Sequence, residues 1–399
     1  MTALDALTLP ELDIGDPTLN GPAFHELLDR TARESWLARL PLGLLVLDRE
    51  AGEHFLRSRT AIFPGQLIAE LYGIESGPLR DEIDRNILHI DGPDHARLRR
   101  LVNPFFTPRA ADRWRPAMRG FLEQLWSQLD GAQCELVEAV AKPYPSLTIA
   151  TVMGAPLSDA PQLHEWSNWI QRQFDGPSLE ALRERIEQAC AEFYVWCDAL
   201  LATRRGDPGD DLVSVLIAAE EDGDRLTDVE LVNLVLNVLI GGVDTTQAQL
   251  SHALRLFAEH PDQWALLAGR PDLAPQAVEE VLRHEPITPF TARLLTADET
   301  FRDVELPAGT VLMISAVTGN RDGAGDPGFD ITADRSGARL MTFGAGIHHC
   351  LGANLARAEL EEALAFLAPR MPGLRMTQPP AYGTVQGIYG LESLHLAWD

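Results

Sequence analysis

Residues 343–357 read FGAGIHHCLGANLAR. Cys350 stands behind two glycines and two histidines, and the residues after it open a run of helical periodicity. Several chemistries compete for such a loop. Gly344 and Gly346 form a G-x-G, but the third glycine of a dinucleotide fingerprint is misplaced and no βαβ unit surrounds it. His348, His349 and Cys350 are zinc-ligand types, yet neighbouring residues point in different directions and no CxxC or HxxxH completes a set. A cysteine nucleophile would gain from a helix N-terminus, which lowers a thiol pKa. No base or oxyanion donor can be read beside it.

A thiolate ligand to haem iron accounts for each part of the loop. The positive end of the following helix and its free N–H groups stabilise a thiolate. Glycines let the backbone pass close under a flat macrocycle. The same N–H groups tune the donor strength of the sulfur. His348, two residues before the cysteine, is placed to reach a haem propionate.

Composition narrows the field further. The chain has 399 residues and a formal net charge of −26. That charge opposes binding to phosphate backbones or anionic membranes. Lys142 is the only lysine, so a Schiff-base mechanism has a single candidate, inside KPYP. The acidic N-terminus, MTALDALTLPELDIGD, lacks the pattern of a secretory signal. The apolar stretch 231–243 reads as too short to span a bilayer. These features predict a soluble, cytoplasmic protein. Cys134, Cys190, Cys197 and Cys350 are irregularly spaced, which predicts free thiols. Cys190 and Cys197 read as core residues.

Periodicity predicts a mainly α fold with small β-sheets. Helices are expected at 22–38, 95–105, 110–130, 159–172, 178–203, 227–260, 261–269, 273–285 and 352–368. Short strands are expected at 43–48, 53–57, 292–303, 309–315 and 393–397. RRGDPGDD (204–211) reads as a surface loop and EEDGDR (220–225) as a solvated turn.

Three further stretches carry chemistry. In 227–261, Thr227 and Glu230 have capping-box spacing and Pro261 stops the run. The helix is apolar nearly all round over 231–243, yet Asn233, Asn237, Gly241 and Asp244 or Thr245 share one stripe. Mid-helix glycines cost up to ~1 kcal/mol each, so a loosened turn beside an acid and two hydroxyls points to a ligand or a proton path. Close helix packing is the alternative. In VEEVLRHEP (278–286), Glu280 and Arg283 are i,i+3 neighbours; the spacing recurs at Glu82/Arg85 and Glu180/Arg183, so alone it says nothing. In 91–119, arginines gather in an acidic chain, which suits an anion contact and an acidic protein partner.

FGAGIHHCLG resembles the haem-ligand signature of the cytochrome P450 family, F-G-x-G-x-H-x-C-x-G. The likeness continues in order along most of the chain. HARLR (95–99) resembles the propionate-contacting helix, and GGVDTT (241–246) the central helix with its acid–alcohol pair. EVLR (280–283) resembles the E-x-x-R motif, with Arg335 as its third partner, and TAR (291–293) the strand arginine. Gly241 stands where alanine is commoner.

The resemblance implies a single P450-like haem-thiolate domain over 1–399 with a long central helix, binding haem b (iron protoporphyrin IX). It implies Cys350 as axial ligand, with His95, Arg99, Arg293 and His348 on the propionates and Phe343 and Gly352 beside the haem. Asp244 and Thr245 would manage proton delivery, and Glu280, Arg283 and Arg335 would be structural. The activity implied is a monooxygenase acting on a lipophilic small molecule: a steroid, terpenoid, polyketide or aromatic. A peroxide-driven or non-hydroxylating enzyme, or a haem sensor, are the alternatives. Electrons would come from a ferredoxin docking near Arg97, Arg100, Arg109 and Arg113. Substrate-lining segments are expected at about 62–88, 165–180, the central helix, 287–291 and 385–391. They offer Leu67, Ile68, Leu71, Phe174, Leu236, Ile240, Val243, Ile287, Phe290, Ile388 and Tyr389.

Overall fold

A computed structural model describes residues 2–221, 226–321, 328–335 and 339–399. Residues 222–225 of EEDGDR lie outside the described residues, and Glu220 and Glu221 end the helix Leu212–Glu221. The chain divides into two compact units.

The first unit comprises Met1–Pro64, Glu279–Cys350 and Tyr382–Gly390. Its centre is a five-stranded sheet in the order Leu37–Leu40, Gly43–Val46, Val311–Ser315, Phe290–Leu295, Ala61–Ile62. Gly43–Val46 runs parallel to Val311–Ser315, and the other pairings are antiparallel. Both faces are covered, so GLLV is apolar at every position rather than alternately. Leu44 and Val46 join Phe55, Leu312 and Ile314 on one side. Leu45 and Leu47 join Phe24, Leu28, Phe290 and Tyr389 on the other. The turn into Gly43 needs glycine: its φ is +98°, and a Cβ there would lie 2.2 Å from the Val311 carbonyl oxygen.

Three sequence expectations fail in this unit. The strand expected at 53–57 is the end of the helix Arg49–Arg57. Asp48 caps it, accepting from Ala51 N–H at 2.9 Å, and Ala51, Phe55 and Leu56 bury at helical spacing. The helix expected to 38 stops at Glu34, because Leu37–Leu40 pairs with Gly43–Val46 instead. The strand expected at 292–303 is two, Phe290–Leu295 and Glu299–Phe301.

The second unit comprises Gly65–Val278, Leu351–Ala381 and Leu391–Asp399 and is mainly helical. Gly92–Val102, Arg115–Trp126, Ala160–Gln171, Pro261–Gly269 and Ala353–Leu367 fall where periodicity expects helices. Pro143–Met153 was not among the expected helices. Pro143 occupies the first turn, where its missing N–H costs nothing. Pro78–Arg85 and Leu212–Glu221 were not expected either.

The capping box forms as read: Glu230 N–H donates to Thr227 Oγ1 at 3.2 Å, and Thr227 N–H to Glu230 Oε2 at 2.9 Å. The helix it starts is broken at Val243 (φ −90°, ψ −71°) into Asp228–Gly242 and Asp244–Glu259. Thr245 Oγ1 donates to the Gly241 carbonyl at 2.7 Å, inside the loosened turn. The length argument from 231–243 does not survive. Asp228–Glu259 spans 32 residues and is long and apolar enough to cross a membrane by length and composition. Two-thirds of its most apolar window is buried, as in the core helix of a fold. The long helix Gly176–Gly206 also carries a kink, at Leu182.

Candidate functional site

The site residues fall into two groups, one in each unit. In the first, Cys350 ends a loop pinned by backbone hydrogen bonds. Its N–H donates to Phe343 O at 2.9 Å, and Gly344 N–H donates to Met341 O at 2.8 Å. Gly346 has φ +72°, and a Cβ there would stand 2.6 Å from Leu56 O. Only glycine fits so close an approach. Cys350 and His348 are half-buried, and Ile347 and His349 are exposed. Cys190 and Cys197 are core residues, and burial pushes both thiols up. Among the described residues, no three His, Cys, Asp or Glu side chains gather as a metal-binding group.

The loop is positioned by a chain of hydrogen bonds that begins at Glu280. Arg283 donates to both Glu280 oxygens at 2.8 Å, a bidentate pair. Arg335 donates to both at 3.2 Å, and Asp330 N–H adds a bond of 3.0 Å to Oε1. Arg283 also donates to Gly328 O at 2.8 Å. Burial would raise the Glu280 pKa, but its arginine and backbone donors hold it below the ordinary value. On the same helix, Leu282 O accepts from Thr342 Oγ1 at 2.7 Å. Thr342 in turn accepts from Asn320 Nδ2 at 2.8 Å, and Asn320 Oδ1 takes Met341 N–H at 2.7 Å. The helix is thus tied to the residues that open the cysteine loop. Neither Asn320 nor Thr342 carries a sequence signal. The repeats of the spacing behave differently: Arg85 pairs with Asp81 and Arg183 with Glu187.

Arg293 lies on the strand Phe290–Leu295, 2 % exposed, with Nη1 donating to Ala292 O at 2.8 Å. A buried guanidinium is well suited to an anionic ligand group. Tyr389 is corrected from pocket to core. Its hydroxyl accepts from Gly21 N–H at 2.7 Å, and its ring packs on Phe24 and Tyr382. Phe290 packs edge-on to the same Phe24. Ile287 is buried and Ile388 half-buried.

In the second unit, His95 and Arg99 stand one turn apart on Gly92–Val102, His95 buried and Arg99 half-buried. Asp244 and Thr245 are adjacent but face different surroundings. Asp244 is buried against Ala160–Gln171, accepting from Ser167 Oγ and, at 3.2 Å, from Asn168 Nδ2. One turn along each helix, His164 Nε2 meets Gln247 Oε1 at 2.8 Å. Burial raises the Asp244 pKa, against the pull of Ser167 and His164. Thr245 is half-exposed, one turn from the exposed Gly241, where a Cβ would meet nothing within 4 Å. The other stripe residues are used in packing. Asn233 accepts from Tyr194 Oη at 3.1 Å, and Asn237 accepts from Ile87 N–H at 2.9 Å.

Leu236 and Val243 are fully buried and Ile240 nearly so; Leu67, Ile68 and Phe174 are half-buried, and Leu71 is exposed. Gly352 directly precedes Ala353–Leu367. On that helix sequence reasoning missed Glu359, whose buried carboxyl accepts from Thr246 Oγ1 at 3.3 Å and is pushed well above its ordinary pKa by burial.

The basic stretch is less free than its composition implies. Arg97 is ion-paired to Glu230, Arg115 to Asp112, Glu361 and Glu362, and Arg119 to Glu362. Arg100, Arg109 and Arg113 are exposed, and Arg113 lies over the Phe105 ring at 4.2 Å and Trp114 at 4.5 Å.

Known proteins resemble this chain along most of its length. The profile described as Cytochrome P450 matches residues 76–267 and 272–367. Luteothin monooxygenase of Streptomyces thioluteus is 36% identical over 394 residues, covering 97% of this chain and 96% of its own. Mycinamicin IV hydroxylase/epoxidase of Micromonospora griseorubida is 36% identical over 73% of this chain and 74% of its own. Among solved structures, CalO2 superposes with a TM-score of 0.87 at 32% identity, covering 94% of this chain and 96% of its own.

We expect Glu280→Ala to destabilise the protein by about 3 kcal/mol, because it strands Arg283 in the core; urea unfolding measures this. Since the carboxyl is held low, its contribution is full above the ordinary value of 4.5 and lost as the pH falls below it. The stability gap between wild type and variant should close in acid.

Proposed function

The chain belongs to the cytochrome P450 family and is a monooxygenase; from that premise we propose that it inserts one oxygen atom of O2 into a lipophilic small molecule. The carrying observation is the cysteine loop, a half-buried thiol at the doorway of a helix, behind Gly344 and Gly346 at positive φ and with no room for a side chain at Gly346. The donor set suits haem b: a soft thiolate for iron, and buried or half-buried arginine and histidine side chains for two propionates. Cys350 would be the axial ligand, and His95, Arg99, Arg293 and His348 would hold the propionates, with Phe343 and Gly352 alongside. When bound, the haem supplies dioxygen activation and oxidising power.

The protein's own part is binding and proton supply. Asp244 keeps a proton more readily than a surface aspartate, because burial raises its pKa. Thr245 offers a hydroxyl on the open Gly241 stripe, where it can accept and pass a proton. The substrate class remains a steroid, terpenoid, polyketide or aromatic, lined by Leu67, Ile68, Phe174, Ile240, Ile287 and Ile388. The single-domain reading over 1–399 goes with this proposal, since the family profile runs through parts of both units. So does a cytoplasmic location.

Electrons would arrive from a ferredoxin. Arg100, Arg109 and Arg113 are the favoured docking cations, since Arg97 is engaged with Glu230.

Three outcomes test the proposal. Reduced, haem-loaded protein should show the red-shifted carbon monoxide band of a thiolate ligand, and Cys350→Ser should abolish it. With a turnover substrate, found by screening for the haem spin-state shift, Thr245→Ala should lower product per electron consumed by about tenfold or more. Arg109→Glu with Arg113→Glu should slow reduction of this protein by ferredoxin and flatten its salt dependence; an unchanged rate and slope would remove the docking role.

A further inference from the structure

The break at Val243 frees backbone groups that a continuous helix would pair. Asp244, Thr245 and Thr246 N–H would each donate four residues back, to Ile240, Gly241 and Gly242 O. The ladder instead ends with Val243 N–H on Leu239 O at 3.2 Å and resumes with Gln247 N–H on Val243 O at 3.0 Å. A buried carbonyl left without a donor is costly. Two of the freed carbonyls are met by side chains. Thr245 Oγ1 donates to Gly241 O at 2.7 Å. Gln171 Nε2 donates to Ile240 O at 2.8 Å, from the last residue of Ala160–Gln171.

Gln171 belongs to a polar seam. His164, Ser167, Asn168 and Gln171 share one face of their helix, at i, i+3, i+4 and i+7. Each meets the central helix. Ser167 Oγ and, at 3.2 Å, Asn168 Nδ2 donate to the Asp244 carboxyl, and His164 Nε2 lies 2.8 Å from Gln247 Oε1. Gln171 therefore holds the half that ends at Gly242, and the other three hold the half that begins at Asp244. A further contact at the break is apolar: a Cβ on Gly242 would stand 2.3 Å from Ile149 Cδ1, on Pro143–Met153.

We propose that Gln171 is a positioning residue, a splint that keeps the central helix broken at Val243 and so keeps the Thr245 hydroxyl committed to Gly241 O. The consequence for turnover rests on the reading of Thr245 as a proton relay.

The chemistry of the amide favours this role. Ile240 O is an acceptor, so Gln171 must present its NH2 group to it. Its Oε1 is left buried, without a hydrogen-bond partner among the described residues. An apolar side chain at 171 would bury no such unmet oxygen, so what the amide supplies here is the donor. That donor competes with Asp244 N–H for Ile240 O, and a side chain inserted into the ladder is a known cause of helix breaks. With the ladder open, the hydrogen of the Thr245 hydroxyl is held by Gly241 O, and the lone pairs of its oxygen are left to accept. With the ladder closed, Thr245 N–H would take Gly241 O and the hydroxyl would turn freely. Removing the Gln171 donor favours closure, because Ile240 O regains a partner when Asp244 N–H returns to it.

Crystal structures of the haem-loaded wild type and variants test the splint. Gln171→Met keeps the length of the side chain and removes the donor. Gln171→Asn keeps the amide but withdraws it by one carbon; it decides the matter if Gln171→Met does not fold. In both, Asp244 N should come within about 3 Å of Ile240 O, and Val243 should return to helical dihedrals. Ser167→Ala loosens the Asp244 carboxyl but leaves Gln171 in place, so its break should persist. An open ladder in the Gln171 variants, or a closed one in Ser167→Ala, overturns the splint. The ladder is read without turnover, so this result stands apart from the monooxygenase reading. With a turnover substrate, product per electron should fall about tenfold in the Gln171 variants, while the carbon monoxide band keeps its position. A ladder that closes with product per electron unchanged overturns the positioning of Thr245 and leaves the splint standing.

Discussion

The carboxylate of Glu280 holds the first unit's functional loop where it is. It is 1 % exposed, and a charge so placed is tolerable only with its donors in position. Two arginines and one backbone N–H supply them, drawn from the helix itself and from residues 330–335. The same helix passes its position through Thr342 and Asn320 to Met341, two residues before the cysteine loop. The cluster therefore acts on the cysteine through rigidity. A buried ion pair adds little net stability against an apolar substitute. Its value here is that it admits one arrangement of three chain segments.

Three buried acids of the second unit are held differently from Glu280. Asp244, Glu359 and Glu82 meet hydroxyls and amides in place of arginines, and burial raises all three. A carboxyl without a cation in low dielectric keeps its proton. Glu280 thus fixes geometry as an ionised acid, whereas burial favours the protonated form of these three. That division suits a proton-consuming reaction served by a rigid ligand loop. It also explains why Asp244 and Thr245, adjacent in sequence, have different surroundings. In the proposed proton route, the buried acid would be the donor and the half-exposed alcohol the relay.

Legibility followed the physics of each feature. The cysteine loop was readable because positive φ at Gly344 and Gly346, and the close approach of Leu56 O at Gly346, favour glycine, and glycine is visible in sequence. The capping box at Thr227 was readable because both of its hydrogen bonds are local. Glu280 was visible only through its place in an ordered set, since Glu82 and Glu180 share its spacing. Asn320, Thr342, Ser167, Asn168 and Glu359 were invisible, because their partners come from distant segments. The strand expected at 53–57 failed through a short window in which helical and alternating patterns overlap. Tyr389 failed differently: an aromatic near a candidate pocket looks the same in sequence whether it meets a ligand or Phe24.

The break at Val243 shows how one local weakness carries several functions. Gly241 and Gly242 lower helix propensity at the middle of the longest apolar run in the chain. Flanking burial keeps the two halves in place, so the cost is local and the helix does not come apart. The Thr245 hydroxyl donates to the Gly241 carbonyl, and the missing side chain at Gly241 leaves that turn exposed. Alanine at Gly241 would meet no steric barrier, since nothing stands within 4 Å of its Cβ. Glycine at this position is therefore not required by packing. Its physical consequence is open volume beside Thr245 and a softer turn, which the proposed passage of a proton would use.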